Sequence, residues 1–511
     1  MNQKTGKVYL IGAGPGDPGL LTIKAEECIK RADVVVYDYL ASSSLLHYAG
    51  KNAEIIYVGK KGSDHTLAQD KINSLLTNRA AKGLTIARLK GGDPFIFGRG
   101  GEEAEVLIDH NIPFEVIPGV TSAIAAPAYA GIPLTHRKHA SSVCLITGHE
   151  DHLKHETSIK WKAMAESNST LVFLMGVKNL PQIREKLLEN GKTSDTPVAL
   201  VRWGTTSKQE TIVGTLDDIV QKVETAGIKP PAVIVVGSVV SLRNKMKWFE
   251  TSPLFGKRII VTRARAQASG LVACLSDAGA ECIEIPTIKI VRPYDNSYLI
   301  NAVEKINVFD WLVFTSVNGV KFFFETLFAA KKDVRTLGHL KFACIGPATG
   351  KQLKQFGIIC DIMPETYRAE SIVQAFYNIS LKDKKVLLPR AKKARPVLPD
   401  ELRKLGADVS EVIAYETEID DGNKKQLSAL LGGKKIDMVT FTSSSTVSNF
   451  KKLLPMDKFD AIISNACIAC IGPITAETAL SHGIEPDITA TEYTIPGLVN
   501  AIIDYFKGAQ L

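Results

Sequence analysis

Val8-Tyr9-Leu10-Ile11-Gly12-Ala13-Gly14-Pro15-Gly16-Asp17-Pro18-Gly19 is a short apolar run that passes directly into a glycine-rich turn opening a helix. A second run, Val34-Val35-Val36-Tyr37, ends on Asp38, and Leu145-Ile146-Thr147, Leu171-Val172-Phe173-Leu174 and Val233-Ile234-Val235-Val236 repeat the pattern. Each is followed by polar, glycine or proline residues, where ligands bind in open α/β sheets. The predicted class is therefore α/β. The first turn matches a dinucleotide fingerprint only in part, because Asp17 stands where the third glycine belongs and two prolines stiffen the loop. Asp38 lies about where such proteins place their ribose-binding acid, so an NAD(P) dehydrogenase is one reading of this half. An acid beside a pyrophosphate is electrostatically poor, which favours a ligand without phosphate.

The chain has 511 residues, too many for one core at roughly 100 to 200 residues per domain. Its 45% apolar and 23% charged content is that of a globular protein and excludes a disordered, collagenous or coiled-coil chain. No apolar run reaches the roughly 18 residues of a membrane span, and the expectation is a cytoplasmic protein with no membrane partner. Eight scattered cysteines form no disulfide framework. Cys467 and Cys470 have CxxC spacing, but they sit in an apolar run that reads as a buried strand, and no second pair completes a zinc site. The net charge of +8 is shared evenly: residues 1–250 carry 30 basic and 26 acidic side chains, the remainder 32 and 28. That mild excess suits a polyanionic small molecule better than nucleic acid.

Trp248-Phe249-Glu250-Thr251-Ser252-Pro253-Leu254-Phe255-Gly256 is the heaviest punctuation in the chain and is read as the boundary between domains 1–250 and 257–511. Within the second, four segments recur in order. Lys257–Ala264 echoes Lys384–Ala391, and Ala278-Gly279-Ala280 echoes Leu405-Gly406-Ala407. Phe314-Thr315-Ser316 echoes Phe441-Thr442-Ser443, and Ala343-Cys344-Ile345-Gly346-Pro347 echoes Ala469-Cys470-Ile471-Gly472-Pro473. The offset is 127 for the first three and 126 for the last. Collinear matches at nearly one offset predict two similar doubly wound parallel-sheet lobes facing a cleft.

A second loop of the first half, Arg88-Leu89-Lys90-Gly91-Gly92-Asp93-Pro94-Phe95-Ile96-Phe97-Gly98-Arg99-Gly100-Gly101-Glu102-Glu103, is more specific. Paired glycines let backbone approach a ligand, Asp93-Pro94 fixes a turn, and the two glutamates suit the first turn of a helix. With the GAGPGDP turn, VVVYD, Pro118–Ala123, Gly131–Arg137, Thr147-Gly148-His149 and Met175-Gly176, this loop makes residues 6–250 resemble the uroporphyrinogen-III C-methyltransferases, a family of tetrapyrrole methylases. The resemblance implies the two-lobed tetrapyrrole methylase fold. It also implies transfer of methyl groups from S-adenosylmethionine to carbons two and seven of uroporphyrinogen III, giving precorrin-2 for siroheme or cobalamin. It places Pro15, Gly91, Gly92, Asp93, Ile96, Thr121, Ser122, Met175 and Gly204 at cofactor-contacting positions, Asp38 at the base and Lys60 at the proton donor, and it implies a homodimer. Where the family commonly has arginine after Tyr-Asp, this chain has Tyr39.

The chemistry fits those roles. A pyrrole α-carbon is enamine-like and attacks an electrophilic methyl once both are held in line. The product cation must then lose a proton, a task for Asp38, whose other reading is a strand-end hydrogen-bonding role. Lys60, in Gly59-Lys60-Lys61-Gly62, either donates a proton or pairs with a substrate carboxylate. His149, His152 and His155 have a spacing that invites a metal, but their charged neighbours read as a solvated segment, and no metal is expected.

Val261–Arg265, Phe314–Gly319, Ile345–Pro347, Leu388–Ala391, Phe441–Ser445 and Thr491–Ile495 make residues 257–505 resemble uroporphyrinogen-III synthases. The implied reaction closes hydroxymethylbilane with inversion of ring D and needs no cofactor. The protein's task is to fold the bilane, hold its carboxylates and shield carbocations from water. Thr315, Ser316, Thr442, Ser443 and Ser444 would grip carboxylates, cap helices, or do both. Arg263 and Arg265 are carboxylate clamps or structural ion pairs. Tyr415 aligns with a family tyrosine suggested to help the hydroxyl depart; otherwise it packs at a lobe edge. A two-lobed tetrapyrrole-binding module without activity is the alternative for this half.

Overall fold

The computed structural model describes residues 5–50, 52–59, 68–149, 158–263, 265–285, 287–364, 369–377, 379–394, 396–419 and 435–508. It divides into two compact units. One holds the chain to Arg258 with Leu275–Glu281 and the end of the chain from Phe506; the other holds Ile259–Cys274 and Cys282–Tyr505.

The first unit opens with strands β1 (Val8–Gly12), β2 (Val34–Tyr37), β3 (Glu54–Tyr57), β4 (Ile86–Lys90) and β5 (Phe114–Ile117), all parallel in the order β3-β2-β4-β1-β5. Successive side chains point to opposite faces, so Val34 and Val36 pack with Val8, Leu10 and Ile86, while Val35 packs with Ile11, Ala87 and Leu89. β1 and β2 are buried on both faces, which is why these two read as unbroken apolar runs. The helix Ile23–Arg31 starts where Thr22 Oγ1 accepts from the Ala25 N–H at 3.2 Å. Because β1 leads towards β2 and β4 towards β5, these neighbours leave the sheet in opposite directions, and the crevice between their carboxyl ends is the topological switch point.

A second sheet in this unit contains β6 (Val143–Thr147), β7 (Thr170–Leu174), β8 (Pro197–Arg202), β9 (Glu210–Thr215) and β10 (Ala232–Val236), ordered β6-β7-β10-β8-β9 and antiparallel except for β6 with β7. The Trp248–Gly256 segment is packed rather than a free tether. Trp248 and Phe249 lie against the Tyr129 ring. Glu250 accepts from Gln209 Nε2 at 2.8 Å, Thr211 Oγ1 at 2.6 Å and Arg243 Nη2 at 2.6 Å. Burial pushes the Glu250 carboxyl up, but the three donors outweigh it and hold it below its ordinary value. A depressed carboxylate stabilises the fold above its unfolded pKa of about 4.3, and that contribution is lost as pH falls through the folded value. Glu250→Ala is expected to cost about 3 kcal/mol at pH 7 by leaving Arg243 unpaired, with the deficit narrowing below about pH 4 in urea titrations. A deficit independent of pH would show that packing, not charge, holds the segment.

Apart from their first residues Arg258 and Glu281, the remaining strands form two sheets in the second unit. β11 (Arg258–Val261), β12 (Glu281–Glu284), β18 (Met438–Phe441), β19 (Cys467–Cys470) and β20 (Ile488–Thr489) run in the order β12-β11-β18-β19-β20. β13 (Ile288–Val291), β14 (Trp311–Phe314), β15 (Lys341–Cys344), β16 (Lys385–Ala391) and β17 (Asp408–Ile419) run as β13-β17-β16-β14-β15, parallel except for the edge strand β13. The repeats give similar sheets, but neither repeat builds one alone. β11 of the first repeat pairs with β18 of the second, and β16 of the second pairs with β14 of the first. Two fully buried threonines stitch the first joint: Thr262 Oγ1 donates to Thr440 O at 2.7 Å and Thr440 Oγ1 to Ile260 O at 3.0 Å. β19 is the buried strand expected of the CxxC run, with Cys467 Sγ at 3.2 Å from Tyr505 Oη. Among the described residues no helix is long and apolar enough to cross a membrane.

Candidate active sites

At the switch point of the first unit, Gly14 and Gly92 exchange backbone hydrogen bonds, Gly14 N to Gly92 O at 3.2 Å and Gly92 N to Gly14 O at 2.7 Å. Gly92 has φ +69°, a left-handed conformation that favours glycine. The Gly12 and Gly119 backbones also touch: a Cβ on Gly119 would lie 2.4 Å from Gly92 O and 2.6 Å from Gly12 Cα. Asp93 ties the loops together, its Oδ1 accepting from Phe95 N at 2.8 Å and its Oδ2 from Gly119 N at 3.0 Å. Thr121 caps the helix Ser122–Tyr129, accepting from Ala123 N at 3.3 Å, and lies beside Gly92.

The nine predicted cofactor positions fall in loops that follow β1, β4, β5, β7 and β8. Pro15 is in the first turn, Gly91 to Ile96 in the second and Thr121 and Ser122 in the third. Met175 follows β7, and Gly204 packs against Ala126 after β8. Five of the eight non-glycine residues with positive φ among the described residues lie in these loops: Phe97, Arg99, Met175, Trp203 and Thr205. Such strain persists where surrounding structure over-determines it and clusters at functional sites. Phe95, Phe97, Arg99, Glu102, Thr147 and Met175 line an open cavity of about 510 Å³. Arg99 is held by Glu102, Nη2 to Oε2 at 2.6 Å, and this pairing keeps the glutamate's pKa below its ordinary value.

Asp38 ends β2 with both oxygens engaged, Oδ1 accepting from Leu40 N at 3.1 Å and Oδ2 from Arg88 Nη2 at 3.1 Å. Lys60, His152 and His155 lie outside the described residues. Asp17, read as an obstacle to phosphate, accepts from Gly19 N at 2.8 Å and from the Tyr129 hydroxyl at 2.7 Å. Burial and that carboxylate push the Tyr129 hydroxyl well above its ordinary range. The acid is therefore fixed in the loop by these two donors. Sequence reasoning assigned no role to Arg88 and Lys90, the buried charges behind Asp38, and placed Glu103 only in the first turn of a helix. Arg88 and Lys90, two apart in a run otherwise apolar, were the available signal, since a central strand buries such cations only with partners.

In the second unit Ser316 caps the helix Val317–Ala329, its Oγ accepting from Gly319 N at 3.0 Å, and lies 2.9 Å from Tyr415 Oη. Tyr415 is buried and stacked on Phe322 at 6.0 Å. Ser443 opens the helix Ser444–Leu453, and its Oγ meets Ser445 Oγ at 3.0 Å. Ser444 Oγ accepts from Thr478 Oγ1 at 2.8 Å. Thr315 and Thr442 follow β14 and β18, both half-buried. The repeat-related arginines differ. Arg390 is buried against Glu411, Nη1 to Oε2 at 2.9 Å, and Arg403 also holds Glu411. Arg263 is half-buried without a hydrogen-bonding or ionic partner among the described residues, and burial lowers its pKa. The side chain of Arg265 lies outside the described residues.

A glycine-rich crevice at the strand ends marks the first unit as an α/β ligand-binding one, and two interleaved α/β sheets make up the second. The family model for tetrapyrrole (corrin/porphyrin) methylases matches residues 7–220, and that for uroporphyrinogen-III synthase HemD matches residues 269–500. A porphyrin biosynthesis protein HemD of Ruminiclostridium josui is 38% identical over 506 residues, covering 98% of this chain and 99% of the relative. The chain belongs to this family, in which a tetrapyrrole methylase and a uroporphyrinogen-III synthase are fused. A uroporphyrinogen-III C-methyltransferase of Bacillus subtilis strain 168 is 52% identical over 246 residues, 48% of this chain and 95% of the relative. A solved uroporphyrin-III C-methyl transferase from Thermus thermophilus, complexed with S-adenyl homocysteine, is 39% identical over 46% of this chain and 100% of that one, with a TM-score of 0.40.

Proposed function

We propose that the second unit closes hydroxymethylbilane to uroporphyrinogen III with inversion of ring D, and that the first methylates that product at carbons two and seven to give precorrin-2. The observation that carries the reading is the relationship to one fused protein along 98% of the chain, so that both units keep their place in a single polypeptide. The reading assigns the methyltransferase to residues 1–250 and the synthase to 257–511, working in the cytoplasm, with a homodimer through the first unit.

The residues at the switch point fit S-adenosylmethionine. Gly91, Gly92, Thr121 and Ser122 offer backbone and hydroxyl groups, Ile96 and Met175 offer apolar surface, and the cations behind Asp38 are already paired, so their repulsion of a sulfonium is reduced. Bound there, the cofactor would supply an electrophilic methyl. Asp38, held as an acceptor at the mouth of the crevice, takes the proton that the methylated ring must lose. The half-exposed Phe95, Phe97 and Met175 exclude water from the tetrapyrrole face, and Arg99 meets its carboxylates. In the second unit, Arg263 and the hydroxyls at the helix starts hold propionate and acetate groups while the bilane loses water and recloses.

The 511-residue chain given hydroxymethylbilane should yield uroporphyrinogen III alone, and a product two methyl groups heavier when S-adenosylmethionine is added, as read by isomer analysis and mass spectrometry. Formation of only the uninverted isomer would remove the synthase assignment, and an unmethylated macrocycle would remove the methyltransferase.

A further inference from the structure

Behind Asp38 lies a buried chain of charge. The Arg88 side chain is 3% exposed and reaches three elements: Nη1 donates to Leu89 O of its own strand at 2.9 Å, Nη2 to Asp38 Oδ2 at 3.1 Å, and Nε to Glu103 Oε1 at 3.4 Å. The Glu103 side chain, in the first turn of the helix Gly100–Asp109, is 0% exposed. Its Oε1 also receives Lys90 Nζ at 2.7 Å and Gln69 Nε2 at 3.1 Å. Glu103 Oε2 is buried without a partner among the described residues. Of the four charged side chains, only Asp38, at 27% exposure, reaches solvent.

Stability alone accounts poorly for this arrangement. Apolar residues of similar volume commonly match or exceed buried ion pairs in stability, and a buried carboxylate oxygen left unbonded adds a penalty. The chain is organised instead around its exposed end. Lys90 offsets the charge of Glu103, so the Arg88 charge is left to face Asp38. The planar guanidinium, fixed at three corners, holds Asp38 Oδ2 at a defined point. Leu40 N grips the other oxygen, Oδ1, at 3.1 Å, so both carboxylate oxygens are held while 27% of the side chain stays exposed.

We infer that Arg88 is a positioning residue for Asp38, itself held by Glu103 and Lys90, and that this buried relay fixes the carboxylate that receives the proton in methyl transfer. The inference rests on the reading of Asp38 as the proton acceptor. Lysine at position 88 would keep the charge but not the three-cornered grip, because an ammonium on a flexible stem does not fix a plane.

The test is methylation of uroporphyrinogen III by the full chain under saturating S-adenosylmethionine, with S-adenosylhomocysteine affinity measured by calorimetry. Asp38→Asn should lower kcat by about 1,000-fold, in the range of general-base loss. Arg88→Gln should lower it by about 100-fold and Arg88→Lys by about tenfold, with KM and the S-adenosylhomocysteine Kd held to within about twofold, since a misplaced base costs turnover rather than binding. Glu103→Gln should resemble Arg88→Lys. If Arg88→Gln does not fold, Arg88→Lys decides: an unchanged kcat, or a kcat loss matched by an equal loss of S-adenosylhomocysteine affinity, overturns the inference. Loss of rate in Asp38→Asn with full rate in the Arg88 variants would leave Asp38 as acceptor and remove the relay. A fully active Asp38→Asn would remove the proton-acceptor reading itself.

Discussion

Arg263→Gln is expected to raise the stability of the second unit while lowering its conversion of hydroxymethylbilane by about 100- to 1,000-fold, the loss that follows when one member of a buried charge pair with substrate is removed. The opposite signs follow from one observation. A guanidinium partly withdrawn from water, with no partner among the described residues, costs free energy in the unliganded protein, and its lowered pKa has the same origin in desolvation. Glutamine removes that cost. The same desolvation makes the cation a strong partner for a carboxylate that arrives with the bilane. Arg390, its counterpart in the repeat, behaves differently because Glu411 already holds it, so Arg390→Gln should destabilise the unit. Thermal midpoints and initial rates for both variants separate the cases. If Arg263→Gln lost stability and rate together, the residue would be structural, with its partner beyond the described residues.

This contrast bears on what the sequence made legible. The repeat located Arg263 and Arg390 at matching strand ends, but it could not say that one is neutralised within the fold, because Glu411 belongs to a neighbouring strand with no mark in the repeated segments. The same limit hid the interleaving of the lobes. Similar segments announce similar strands, whereas pairing between β11 and β18 depends on where the chain crosses, which no local pattern encodes. The first unit was more readable because its strands β1 and β2 are buried on both faces and its ligand loops follow the parallel strands directly. Glu102 and Glu103 illustrate the remainder. The two are chemically equivalent in the sequence, yet Glu103 falls on the inward side of its helix with Ala104 and Leu107, while Glu102 faces out to Arg99. Tyr415 shows it again: its hydroxyl lies at hydrogen-bonding distance from Ser316, a residue 99 positions away, so its surroundings were set by strand pairing.

Gly119→Ala is expected to abolish S-adenosylhomocysteine binding by the first unit, with a loss of at least about 100-fold, although the methyl it adds carries no charge and removes no hydrogen bond. The added Cβ would lie 2.4 Å from Gly92 O and within 2.7 Å of Gly12 Cα and its carbonyl carbon, all backbone atoms that cannot rotate away. Relief requires the loops after β1, β4 and β5 to separate, which breaks the Gly14–Gly92 pairing and draws Gly119 N from Asp93 Oδ2. Overpacking at such a point costs about 1 to 3 kcal/mol, so the variant should still fold while its crevice is distorted. Gly270→Ala gives the contrast. It lies in the helix Arg265–Asp277, a Cβ there meets nothing within 4 Å among the described residues, and the change should be neutral or stabilising by up to about 1 kcal/mol. Calorimetric titration with S-adenosylhomocysteine distinguishes the outcomes. Unchanged affinity in folded Gly119→Ala would mean that the ligand does not depend on the three-loop junction, and the crevice between β1 and β4 would lose its claim to the cofactor.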